Sequence, residues 1–138
     1  MRFFLDANIL VSVLNKEYPL YIYTSRILSM AGEKNTALVT TGISLAIAYY
    51  FAEKKHGQPE ANKKIKLLTK HLEIADCGQR EVTAASQNKK IHHFEDGLQY
   101  YAAVHANCTC IVSNDLDDFY FSDLPVLGPE AFFRKYVQ

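Results

Sequence analysis

The sequence predicts a three-layer α/β/α domain with a mostly parallel central sheet. Three observations carry this reading. Short apolar runs of strand length alternate with longer segments of helical periodicity, which implies parallel strands covered on both faces. The first of these runs, RFFL, passes straight into Asp-Ala-Asn, an apolar strand ending in a polar turn. The 138 residues hold no repeat, low-complexity tract or linker, so the chain is expected to be a single domain spanning residues 1–138.

The elements follow in order. Residues 2–5 form the first strand, and Ile9–Leu14 a short helix capped by Asp6 or Asn8. Pro19 opens a helix to about Ala31 with Leu20, Ile27, Leu28 and Ala31 on one stripe, and Gly32 ends it. Residues 37–41 form a strand. Residues 44–55 form a helix that is apolar nearly all round and is expected to be deeply buried. Pro59 restarts an amphipathic helix to about His71, with Ile65, Leu68 and Leu72 inward and Lys63, Lys66 and Lys70 on another face. Residues 72–75 give a strand, 81–87 a helix and 88–92 a polar loop. A strong helix over 95–107 packs through Leu98, Ala102, Ala103 and Ala106. Strands at 109–113 and 124–127 follow, and Pro129 starts a terminal helix.

Composition bounds the function. Lys plus Arg number 15 against 15 Asp plus Glu, so no global field steers the chain onto a polyanion, and any nucleic-acid contact must come from a local patch. The opening MRFFLDANIL is a strand and not a signal peptide, and no run has the ~18 apolar residues of a membrane span. Three cysteines without framework spacing argue against a disulfide scaffold and point to the cytoplasm. Cys108 and Cys110 are expected to share one face of a strand as buried thiols, since no neighbouring Cys/His pair completes a tetrahedral metal set.

In parallel sheets, sites form beyond the carboxyl ends of the strands. Asp6 follows the first strand, Asp115 follows TCIVS, and Asp96 lies in the first turn of the helix leading into that strand; Asp118 and Glu95 are close by in sequence. Any one of these is ordinarily a helix cap. Two strand ends and a helix start, however, are aimed by this topology at one spot. Crowded carboxylates repel, and a fold tolerates them mainly by binding a cation. Oxygen donors without His or Cys favour Mg²⁺ or Mn²⁺. Such ions activate water and stabilise charge on a phosphodiester, which points to metal-assisted phosphoryl chemistry.

FFLDANILVSVL resembles the opening strand and helix of PIN domains, and HFEDGLQYYAAVHANCTCIVSNDLDDFYFSDLPVLGPEAFF resembles their closing half. With the helical middle, the resemblance covers nearly the whole chain, and the second block is the more specific. It implies a Mg²⁺- or Mn²⁺-dependent ribonuclease, often the toxin half of a bacterial toxin–antitoxin pair, with RNA as substrate and an antitoxin protein as partner. Carried over, Asp6, Asp96 and Asp115 hold the metal that activates water against the RNA phosphodiester. Asp118 is a further acid beside them, and Asn8, Glu95 and Ser113 support them. One departure stands out: family members usually carry Glu on the helix after the second strand, and the matching position in TTGISLAIAYYF is Ile47. Isoleucine neither coordinates a metal nor orients water. Glu53 is ~9 Å further along the helix axis on a different face, whereas Glu95 compensates in part if it turns inward.

Other signals are weaker. Lys54, Lys55, Lys63 and Lys66 are either a phosphate-contacting rim or, more plainly, a solvated helix face. Tyr49-Tyr50 and Tyr100-Tyr101 read as core residues with hydrogen-bonded hydroxyls rather than base-stacking platforms. His92-His93 reads as an exposed or capping pair. The Tyr/Ile/Leu surface of the Pro19 helix could pair with a second copy, since PIN-like proteins are commonly dimers. Two alternatives to the nuclease are a phosphotransferase using Asp6 as nucleophile, disfavoured by Asn8 where a second Asp is needed, and a catalytically degenerate RNA- or protein-binding module, favoured by Ile47. A toxin confined to one structured RNA is a third.

Overall fold

A computed structural model of the chain describes residues 1–137. Five strands, β1 (Arg2–Leu5), β2 (Ala37–Thr41), β3 (Glu73–Ala75), β4 (Cys110–Val112) and β5 (Val126–Leu127), form one sheet in the order β3-β2-β1-β4-β5. Every pairing is parallel, with Phe3 opposite Leu38 and Cys110, and Leu5 opposite Val112. The order reverses at β1, so the carboxyl ends of β1 and β4 lie side by side at the switch point, where open α/β sheets place their sites.

The helices are α1 (Ala7–Asn15), α2 (Tyr21–Leu28, extended by a 3₁₀ turn over Ser29–Gly32), α3 (Gly42–His56), α4 (Gln58–Thr69), α5 (Gln79–Gln87), α6 (Phe94–His105) and α7 (Pro129–Phe132, continued by a π-helical turn over Phe133–Val137). Alternation along the strands sorts them into layers. Phe3, Leu5, Leu38, Cys110 and Val112 face one core with Ile9, Leu10, Ile27, Ala48, Leu68 and Phe132; Phe4, Val39 and Ile111 face the other with Tyr100, Ala102 and Ala103. The expected three-layer, PIN-like arrangement is present.

Two expectations are corrected. The helix over 42–56 is not buried all round. Only Ser44, Ala48 and Ala52 form its buried stripe, while Tyr50 and Phe51 are 54% and 45% exposed. Alanines spaced four apart let α3 lie close on α1, which leaves its bulky side chains at the flanks. Nor do Cys108 and Cys110 share a strand face. Asn107 adopts a left-handed conformation (φ 60°), and the Cys108 amide reaches back to the Ala103 carbonyl, closing α6. Cys108 therefore belongs to the helix terminus and the Phe4 core, and Cys110 to the opposite core. Both thiols are buried, which raises them to about 11 and about 12, so they are structural.

Candidate active site

Asp6 caps α1: its Oδ1 accepts the Ala7 amide at 2.8 Å. Its Oδ2 accepts the Ser113 hydroxyl at 2.8 Å from the end of β4. Ser113 Oγ in turn accepts the Asp115 amide at 3.0 Å, so one hydroxyl joins the two strand-end acids. Asn8 completes the bracket. Its Nδ2 lies 3.2 Å from each of Asp6 Oδ2, Ser113 Oγ and Asp115 Oδ2, three acceptors sharing two hydrogens. Its Oδ1 accepts the Asn114 amide at 3.0 Å, which fastens the loop after β4.

A cleft of about 410 Å³ adjoins this bracket, walled by Asp6, Asn8, Glu17, Glu95, Asp96, Asp115 and Asp118 together with the apolar Ala7, Val11, Ile47 and Phe51. Asp96 enters from the first turn of α6 and Asp118 from the 3₁₀ turn Leu116–Phe119. Burial, then the neighbouring Asp118, Asp6 and Glu95, push the Asp96 carboxyl up to about 6. Burial also raises Asp6, against the opposing bonds from Ser113 and Ala7. Neither Lys, Arg nor His lines the cleft. The acids surround it rather than clasp a point: among the described residues, no three Asp, Glu, His or Cys side chains are close enough to form a ready-made coordination shell.

The topology thus brings Asp6, Asn8, Glu95, Asp96, Ser113, Asp115 and Asp118 together, Ser113 from beneath the bracket. Ile47 faces the same cleft, whereas Glu53 is exposed and takes a hydrogen bond from the Tyr49 hydroxyl. Lys54, Lys55, Lys63 and Lys66 are exposed and none lines the cleft; Lys55 instead donates to the Asn15 carbonyl at 2.8 Å. The hydroxyls of Tyr100 and Tyr101 accept from the Asp123 amide and Asn88 Nδ2 away from the cleft. His92 is exposed and packs on Tyr120, and His93 occupies the cap position of α6 without a side-chain bond.

Sequence reasoning missed Glu17, Val11 and Phe51 as wall residues. Glu17 arrives because Lys16 turns left-handed (φ 50°) after α1, a signal no motif carries. A second cleft, about 460 Å³, lies along β3 and α6; Glu73 and Glu81 engage its Arg2 and His105, and exposed Asp76 and Arg80 also line it.

The chain is similar to proteins of one kind. Ribonuclease VapC1 of Aquifex aeolicus is 28% identical over 139 residues, covering 98% of this chain and 95% of that protein. Among solved structures, the fold matches a chain in the crystal structure of VapBC2 from Rickettsia felis bound to a DNA fragment from their promoter. That match has a TM-score of 0.72 at 22% identity, covering 93% of this chain and 98% of that one. It also matches Mycobacterium tuberculosis VapC20, a Sarcin-Ricin loop cleaving toxin, with a TM-score of 0.66 at 11% identity, covering 89% and 98%. The PIN domain family model matches residues 2–117, and with most of its length so matched the chain belongs to the PIN domain family.

Proposed function

We propose that this chain is a divalent-metal-dependent ribonuclease that hydrolyses RNA phosphodiester bonds as the toxin half of a cytoplasmic toxin–antitoxin pair. The observation that carries the reading is the composition of the cleft: six carboxylates, Asp6, Glu17, Glu95, Asp96, Asp115 and Asp118, with no cationic side chain on its wall. A phosphodiester cannot approach such a surface unless a cation stands between. Oxygen-only donors of this kind fit Mg²⁺ or Mn²⁺. Similarity to a protein named as a ribonuclease and to a toxin that cleaves an RNA loop supports the substrate class.

Asp6, Asp96 and Asp115 would hold the ion, with Asp118 beside them. When bound, it supplies an activated water and neutralises charge on the phosphate. The protein's own part is orientation. Ser113 and the Ala7 amide fix both oxygens of Asp6, while Asn8 and the Ser113–amide contact fix Asp115. In the metal-free cleft burial and the neighbouring acids raise the Asp96 carboxyl to about 6, and its charged form is the one that would hold the ion. Glu95 on the same helix turn faces the cleft and stands in part for the carboxylate that Ile47 lacks. The partners of this reading are an RNA substrate, an antitoxin protein and a second copy of the chain, for which exposed Tyr18 and Ile22 offer apolar surface.

Ile47 favours one second reading, a degenerate PIN module that binds RNA or protein without cutting it. Cleavage of a mixed single-stranded RNA pool in Mn²⁺, Mg²⁺ or EDTA, comparing wild type with Asp96→Asn, separates the two. Metal-dependent cleavage lost in the variant is the expected result; no cleavage under any condition moves the assignment to the binding module.

A further inference from the structure

Asp96 meets Asp6 across the cleft only if α6 sits at one depth and one rotation against the sheet. The outer side of α6 is set by close packing. A Cβ on Gly97 would lie 3.0 Å from both Ala85 Cβ and Ile91 Cδ1, and His105 further along pairs with Glu81 on α5. The inner side is set by a polar contact. Thr41 Oγ1 donates to Gln99 Oε1 at 2.7 Å and accepts the Ser44 amide at 3.0 Å. All three side chains are fully buried. Gln99 lies one turn beyond Asp96 on the same side of α6, and Thr41 ends β2 and caps α3, the helix that carries Ile47.

With the Thr41 hydroxyl donating to Gln99, the amide presents Oε1 to Thr41 and turns Nε2 away. Among the described residues, Gln99 Nε2 and Ser44 Oγ are buried without a partner. Unmet polar atoms cost stability, and an apolar side chain of equal length would pack here more cheaply. The contact therefore specifies placement more than it adds stability.

We propose that Gln99 is a positioning residue of the cleft: through Thr41 it latches α6 to the β2–α3 junction and sets how Asp96 faces Asp6. The inference rests on the nuclease reading only where a metal is the probe.

Gln99→Met keeps the length and removes both polar ends, Thr41→Val breaks the same bond from the other side, and Thr41→Ser preserves it. Mn²⁺ binding to the full chain, followed by water-proton relaxation, is measured beside thermal melts in EDTA. Gln99→Met is expected to weaken Mn²⁺ binding about tenfold with Tm equal to or above wild type. Thr41→Ser should bind like wild type, and the Gln99→Met/Thr41→Val double variant should lose no more than the weaker-binding single. Unchanged affinity in Gln99→Met, or a loss that follows a fall in Tm, overturns the proposal. A wild type that takes up no Mn²⁺ defeats the metal reading instead. Gln99 is then judged by ¹H–¹⁵N spectra in EDTA. Shifts at Asp6, Asn8 and Asp115 in Gln99→Met that Thr41→Ser does not produce support the latch, and unmoved cleft amides overturn it.

Discussion

Asn8 Nδ2 stands 3.2 Å from Asp115 Oδ2, across 107 positions of sequence, and the same nitrogen reaches Asp6 Oδ2 at 3.2 Å. One neutral amide thereby keeps two carboxylates of the cleft at a shared distance. Its neutrality is what matters, because a negative charge there would add to the repulsion that, after burial, raises Asp96.

Asn8→Asp is accordingly expected to destabilise the metal-free protein by about 1–2 kcal/mol, from one lost donor and one added like charge. Saturating Mn²⁺ should restore most of that loss, since a ligand bound only to the folded state stabilises it. Thermal melts of both proteins in EDTA and in Mn²⁺ measure the difference. An equal deficit in the two conditions would make Asn8 a loop fastening and nothing more.

Asp6→Asn and Asp96→Asn should each abolish metal-dependent cleavage while leaving the fold intact. For Asp96 the sign of the stability change follows from its pKa. At about 6 in the fold it lies above the unfolded value of roughly 4. Between those values the folded state binds the extra proton, so its contribution is present at low pH and is lost as pH rises through about 6. Asp96→Asn removes that slope. Discounted for solvent at the cleft mouth, the variant should gain about 1–2 kcal/mol over metal-free wild type at pH 7.5 and little at pH 4. Denaturant unfolding in EDTA at the two pH values tests this, and a variant weaker at both would assign Asp96 a structural role.

Glu81 should behave oppositely. Burial pushes its carboxyl up, but hydrogen bonds with His105 and from the Gly78 amide outweigh burial and hold it below the usual range. Its contribution is present above the unfolded value and is lost as pH falls through the lowered folded one. Glu81→Gln should therefore cost about 2 kcal/mol at pH 7, with the gap closing below roughly pH 4. Chemical unfolding across pH 3–8 would read this as two converging curves, whereas a constant gap would place the loss in packing alone.

Much of this site is legible in the sequence because it lies where strands end. Asp6, Ser113 and Asp115 are fixed by the apolar runs before them, and Asp96 by the start of the helix leading into β4; parallel topology does the rest. What stays hidden depends on packing depth. Hydrophobic pattern marks α3 as apolar, but only its placement on α1 decides that Ala48 and Ala52 go inward and Phe51 to the cleft. The Thr41–Gln99 bond joins residues 58 apart, and no motif marks either polar side chain as buried or says that they touch. For the Lys54–Lys66 stretch, charge spacing names a helix face but not which way it points, and Lys54, Lys55, Lys63 and Lys66 stand exposed and off the cleft wall.

Ile47 gives the sharpest test, because its side chain already faces the acids. Ile47→Glu adds a carboxylate to the cleft wall with no change of backbone. In EDTA this should cost about 1–3 kcal/mol, from lost apolar burial and added repulsion. In Mn²⁺ the new oxygen ligand should tighten binding about tenfold, an increment of roughly 1.4 kcal/mol, and raise the cleavage rate on RNA. Isothermal titration with Mn²⁺ and a cleavage time course measure the two gains. Tighter binding with no cleavage would mean that the cleft holds metal but not substrate, which is the degenerate reading. A variant that binds no better than wild type would sink the idea that the acids around Ile47 form a metal site at all, since the added carboxylate supplies the donor type such a site takes at a position already on the cleft wall.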